Sequence, residues 1–179
     1  MLRRTLLLAL GAPWWWAEAL ALEDPFRTRA LRDQAGRETS LALQAAGEAL
    51  VVVVMKGHWC QVCIGQLQRF QQLRQRFDSL EATVVGLNAD APELNRRMAE
   101  REGIEQPVLS DEQHRVLDEL GLWLPRQSHP MPGIVVFDRC GDEAARWVGR
   151  RPGERPESAV LAVLRKLAED KRVCDRPSA

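Results

Sequence analysis

The sequence predicts an α/β domain, with a central mixed β-sheet flanked by helices and preceded by an N-terminal β extension. Three observations carry this. The run Leu50 to Met55 is apolar and rich in valine, with no polar alternation, as in a strand covered on both faces. Thr83 to Asn88 is a second run of the same kind. Between them, Ile64, Leu67, Phe70, Leu73 and Phe77 recur at spacings of three or four among Gln and Arg, which predicts an amphipathic helix with one buried stripe.

Residues 1–21 stand apart from that domain. Arg3 and Arg4 form a basic start, Thr5 to Trp16 is apolar but broken by Gly11 and Pro13, and Ala19-Leu20-Ala21 fits a small-x-small cleavage site. We read a secretory signal peptide over 1–21 and a single domain over 22–179. The segment is too short for a spanning helix of about 20 residues; an uncleaved anchor is the alternative. The expected location is periplasmic or secreted, where disulfides persist. After cleavage no membrane span is expected. The 179 residues are 45% hydrophobic and 28% charged, enough apolar content for one core. The net charge of zero gives no reason to expect nucleic acid as a partner.

Taken in order, Phe26 to Leu31 and Arg37 to Ser40 read as short strands about the turn Asp33 to Gly36. Leu41 to Ala46 reads as a short helix stopped by Gly47. Past the second buried strand, a helix begins at Asp90 or Ala91 with Pro92 in its first turn, and Gly103 ends it. Pro107 to Leu109 is a short strand. Ser110 or Asp111 is positioned to cap a helix running to Leu120, with Gly121 as its stop and His114 on its surface. Leu122 to Pro132 is expected as a loop, since Pro125, Pro130 and Pro132 oppose regular pairing. Ile134 to Phe137 and Ala144 to Val148 are strands about the turn Asp138 to Asp142. Arg150 to Arg155 is a polar turn, and Pro156 opens a final helix carrying Val160, Leu161, Leu164 and Leu167.

The chemistry points to Cys60 and Cys63, two residues apart where the first buried strand gives way to the helix. A cysteine at a helix start meets unpaired N–H groups and the positive end of the helix dipole, both of which favour thiolate. Cys63, one turn further in, is placed to attack a mixed disulfide formed at Cys60. Lys56 and His58 are candidate sources of positive potential. Half a zinc site, or two plain buried thiols, would use the same spacing. A second close ligand pair is missing for zinc, and haem attachment needs His where Ile64 stands.

The segment Gly57-x-Trp59-Cys60-x-Val62-Cys63-x-x-Gln66-Leu67 resembles the active-site segment of thioredoxin-fold redoxins of the AhpC/TSA, or peroxiredoxin-like, group. The resemblance runs from about Phe26 to Leu167. It implies a thioredoxin-like fold and an enzyme acting as a thiol–disulfide oxidoreductase, with Cys60 as nucleophile and Cys63 as resolving thiol. It also gives Trp59, Met131 and Pro132 a substrate-binding place, with Pro132 in a cis peptide facing the reactive cysteine. The implied partners are protein thiols or disulfides and an upstream electron donor, with no cofactor.

Peroxide reduction is the alternative. The group's peroxidases carry Pro-x-x-x-Thr-x-x-Cys, and this chain departs from that pattern. Counting back from Cys60, the Thr and Pro places hold Gly57 and Val53; counting back from Cys63, they hold Cys60 and Lys56. A copper-binding chaperone is a third reading, in which Cys60, Cys63 and His129 make a soft site for Cu(I); otherwise no metal is expected. His129 reads equally as a proton carrier or as a surface residue.

Cys140 and Cys174 remain. If the last helix returns antiparallel to strand 144–148, its end approaches the 138–142 turn. A helix of about 14 residues spans about 21 Å and a five-residue strand about 17 Å, so a structural disulfide is geometrically reasonable. Two independent free thiols are the alternative.

Overall fold

The computed structural model describes Phe26, residues 29–149, residues 156–170 and Cys174. The elements are β1 (Leu31–Arg32), β2 (Glu38–Thr39), α1 (Leu41–Ala45), β3 (Ala49–Val54), α2 (Gln61–Gln72), α3 (Arg74–Asp78), β4 (Ala82–Asn88), α4 (Pro92–Glu102), β5 (Val108–Ser110), α5 (Arg115–Glu119), β6 (Trp123–Leu124), β7 (His129–Pro130), β8 (Gly133–Phe137), β9 (Glu143–Val148) and α6 (Glu157–Glu169). Seven strands form one sheet in the order β2-β1-β5-β4-β3-β8-β9, and β6 and β7 form a separate ladder. β3 runs parallel to β4 and antiparallel to β8, so the sheet is mixed.

The valine run works as its pattern predicts. All six residues of β3 are buried. Successive side chains alternate between the faces. Val51, Val53 and Met55 pack with Phe70, Phe77, Val160 and Leu164. Leu50, Val52 and Val54 pack on the opposite side with Leu41, Val116 and Leu117. Each such side chain taken fully out of water contributes roughly 1.5–3 kcal/mol.

Several elements depart from expectation, each for a local reason. The helix after Cys60 does not continue unbroken to Phe77. It turns at Leu73 (φ −99°, ψ 10°) and resumes as α3, while Phe77 stays buried edge-on to Phe70 at 5.3 Å. The N-terminal strands are Leu31–Arg32 and Glu38–Thr39, and Asp33 closes the turn between them: its Oδ1 accepts from Ala35 N and Arg37 N, both at 2.9 Å. β1 also pairs with β5 through Arg32 and Ser110, so the extension forms one edge of the central sheet. The helix expected from Ser110 or Asp111 starts only at Arg115. Asp111 caps it from a distance, accepting from Arg115 N at 3.1 Å and Leu117 N at 2.9 Å, and His114 bridges at a φ of +45°. Its ring stacks on Trp123 at 4.2 Å.

The segment Leu122 to Pro132 is not wholly loop. Trp123 pairs with Pro130 and Leu124 with His129. Pro130 is tolerated because this two-stranded ladder has free edges towards which its missing N–H can face. The expected polar turn Arg150 to Arg155 lies outside the described residues, as does the segment 1–21. Beyond α6, Cys174 is disulfide-bonded to Cys140, with Cα atoms 5.3 Å apart, tying the tail to the β8–β9 turn.

Two outcomes follow. Burial raises the Asp33 carboxyl, but hydrogen bonds from the Arg37 side chain and from the Arg37 and Ala35 amides outweigh it and hold the group below the usual aspartate range. A depressed folded-state value contributes stability that is present above the ordinary aspartate pKa and is lost as pH falls through the folded one. Thermal melts should therefore show the native protein losing stability more steeply than Asp33→Asn as pH falls from about 5 to about 3; parallel curves would contradict this. Replacing Cys140 and Cys174 together by Ser removes a cross-link between residues 34 apart. Loop-closure entropy gives a loss of about 3–4 kcal/mol, read as a Tm lowered by about 10 °C.

Candidate active site

The site is built where β3 ends. Met55 N still bonds to Leu87 O at 2.8 Å, and the chain then turns, with Cys60 N donating to Gly57 O at 3.0 Å. The turn delivers Cys60 to the N-cap of α2. There its Sγ accepts from Cys63 N at 3.3 Å, the place usually taken by a Ser or Asp oxygen. Cys60 and Cys63 are joined as a disulfide with Cα atoms 5.3 Å apart. The two are 9% and 5% exposed, whereas Trp59 and Val62 beside them are 55% and 59% exposed. The sulfurs thus lie sunk at the head of a helix, under an exposed aromatic ring and an exposed valine. When the pair is reduced, the Cys63 amide and the dipole of α2 favour charge on Cys60.

The other expected residues are distributed around this point. Lys56 is half-buried and forms no ion pair among the described residues. His58 donates its backbone N–H to Asp90 Oδ2 at 2.5 Å, and its Nδ1 lies 3.0 Å from the same oxygen. His129 comes to Trp59, ring edge to ring at 6.1 Å. Its Nδ1 is 2.8 Å from Pro130 O; a carbonyl only accepts, so Nδ1 carries the proton. β7 is the element that holds it there.

Met131 and Pro132 leave the sheet at the same end as Cys60, because Gly133 at the start of β8 pairs with Val54 at the end of β3. The cis proline implied by the resemblance is absent: no peptide bond among the described residues is cis. Pro132, just before β8, has the ordinary trans form. Its carbonyl accepts from Gly149 N at 3.0 Å, and Met131 N donates to Leu122 O at 2.7 Å.

Sequence reasoning missed the polar support behind the turn. Asn88 and Asn95 are fully buried and exchange hydrogen bonds at 2.8 and 3.0 Å, and Asn95 also donates to Ser110 Oγ at 2.9 Å. Asn88 Oδ1 accepts from Asp90 N at 3.0 Å. The residues lie on β4, α4 and β5, and only the sheet order brings them together. The departure from the peroxidase pattern also has a steric side. A Cβ on Gly57 would stand 2.8 Å from Trp59 Nε1 and 3.1 Å from Asp90 Oδ2, so the place counted back from Cys60 has no room for a threonine without displacing one of them. Among the described residues no group of three His, Cys, Asp or Glu side chains is gathered as a metal site, and the two sulfurs of the copper reading are here bonded to each other.

Known proteins resemble this chain over much of its length. It is 28% identical over 86 residues to the thiol-disulfide oxidoreductase ResA of Geobacillus thermodenitrificans, covering 48% of this chain and 46% of that protein. It is 30% identical over 92 residues to the chloroplastic peroxiredoxin Q of Sedum lineare, covering 51% and 49%. The chain thus spans about half the length of these curated relatives. Among solved structures, the peroxidoxin BcpB of Mycobacterium tuberculosis superposes with a TM-score of 0.70 at 22% identity, over 77% of this chain and 92% of that one. Peroxiredoxin Q of Xanthomonas campestris gives 0.70 at 19% identity, over 80% and 93%. At these identities the superpositions establish the thioredoxin-like fold of the peroxiredoxins. The model of the AhpC/TSA family matches residues 22–142, well over half of the sequence, and the chain belongs to that family.

Proposed function

We propose that this protein is an exported thiol–disulfide oxidoreductase. The observation that carries the reading is the Cys60–Cys63 pair at the head of α2, with Cys60 Sγ in the cap position against the Cys63 amide. In the reducing direction, the Cys60 thiolate attacks one sulfur of a partner disulfide. A mixed disulfide forms, and the partner's other sulfur leaves as thiolate. The Cys63 thiolate then attacks Cys60 Sγ, forming the Cys60–Cys63 disulfide and releasing the partner's second thiolate. Two electrons pass to the partner, and a dithiol donor restores the pair. Met131, Pro132 and Trp59 frame the approach to Cys60. Export rests on the basic start, apolar stretch and Ala19-Leu20-Ala21 of the sequence.

Thiol peroxidase activity is the second reading, favoured by the peroxiredoxin relatives. In that case the Cys60 thiolate attacks one peroxide oxygen, the O–O bond breaks and the other oxygen leaves as water or alcohol. The Cys63 thiol then condenses with the resulting sulfenic acid, forming the disulfide and releasing a second molecule, water. Without a threonine at Gly57 this step lacks the hydroxyl that the group's motif supplies.

Substitution of each cysteine separates the roles. Cys63→Ser should accumulate a mixed disulfide with a disulfide-bearing protein substrate such as insulin, through Cys60, while Cys60→Ser should form none and lose reductase activity at least about a hundredfold. Turnover of hydrogen peroxide faster than that of the protein disulfide would favour the second reading. Equal activity of Cys60→Ser and the native protein in both assays would contradict both.

A further inference from the structure

The turn that presents Cys60 is held by a residue the thiol chemistry itself does not use. Asp90 stands just past β4, 32 residues from His58. A single carboxylate oxygen, Oδ2, receives the His58 backbone N–H at 2.5 Å and lies 3.0 Å from His58 Nδ1. A carboxylate has no proton to give here, so Nδ1 is the donor of this bond. The same oxygen lies where Gly57 has only hydrogens, since a Cβ there would come within 3.1 Å of it. Asp90 thus grips the middle of the Gly57–Cys60 turn through its backbone and holds its one imidazole at Nδ1.

Asp90 is not itself loosely held. Its amide is bonded to Asn88 Oδ1, and Asn88 belongs to a buried set with Asn95 and Ser110. Buried amides paired this completely are rigid, because any movement strands a donor or acceptor away from water. The hydrogen bonds form a continuous line: Ser110, Asn95, Asn88, Asp90, His58, and then Trp59 and Cys60 along the chain. β4, α4 and β5 are thereby coupled to the approach to the nucleophile.

We propose that Asp90 is a positioning residue for Cys60, acting through the amide and ring of His58. It sets the turn so that the Cys60 sulfur meets the Cys63 amide at the head of α2, and it holds the His58 ring in place. This rests on the reading of Cys60 as the attacking thiol. Acceptance of hydrogen bonds is the property that matters, so asparagine, whose Oδ1 can receive both donors, should largely substitute.

The test is the rate of Cys60 alkylation in fully reduced protein at neutral pH, located by peptide mass, with a melt on each variant to establish folding. Asp90→Ala should slow alkylation about tenfold or more, the scale of effect expected when a reacting group is misplaced. Asp90→Asn should stay within about threefold of native, and His58→Ala, which keeps the amide bond, should fall between, as loss of one hydrogen bond of two implies. The double variant Asp90→Ala/His58→Ala should be no slower than Asp90→Ala, since both act along one line. A folded Asp90→Ala with the native rate would overturn the inference, as would an Asp90→Asn as slow as the alanine variant or losses that multiply in the double variant. Should Asp90→Ala not fold, a native rate in His58→Ala overturns it. Alkylation needs no redox partner. A native protein that never forms the Cys60–Cys63 disulfide would therefore defeat the oxidoreductase reading and leave the Asp90 result standing separately.

Discussion

Everything at the site depends on where β3 stops. Val54 pairs with Leu87 on one side and with Gly133 on the other, and these are the last rungs of both ladders. From that end of the sheet three stretches leave together: 55–60 towards α2, 89–91 towards α4, and 132 backwards towards the β6–β7 hairpin. Each brings one part of the candidate site, namely the cysteines, Asp90 with its bonds to His58, and Met131 and Pro132 with His129 beyond them. The site's geometry is in this sense a consequence of burying six residues on two faces, because a slip of one residue in β3 would exchange the two cores and carry Cys60 away from the other stretches.

The apolar skeleton was therefore the legible part. Leu50 to Met55, the stripe Ile64, Leu67, Phe70, and the stops at Gly103 and Gly121 are local signals, and the folded chain uses them as read. Cys60 at a helix start follows from the same signals, since the strand and the stripe leave it no other place. The approach of Cys140 to Cys174 was open to a length argument because one strand and one helix of matched reach lie between them.

What was not legible is where side chains took over backbone duties. Asp33 takes the amides of the β1–β2 turn, and Asp111 reaches across an extra turn to cap a helix that starts only at Arg115. Proline in 122–132 argues for loop, yet Pro130 sits harmlessly in a ladder of two strands. The Asp90–His58 and Asn88–Asn95–Ser110 bonds join residues whose proximity is a product of sheet order, with no spacing in the chain to betray them. Pro132 is instructive in the other direction: a position matched the family, but its backbone conformation did not follow.

A buried disulfide under an exposed Trp59 and Val62, with Cys60 at the cap of a helix, amounts to a two-electron couple presented to another molecule. The measurement that tests this most directly is equilibration of the protein across glutathione redox buffers, with the state of each cysteine read by peptide mass. The account predicts a single reversible transition in which Cys60 and Cys63 gain or lose their thiols together, at a potential between about −270 and about −120 mV, the span from thioredoxin to DsbA. Two thiols that stay alkylatable across the whole range, or a Cys60 that ends as a glutathione adduct with Cys63 still free, would contradict it.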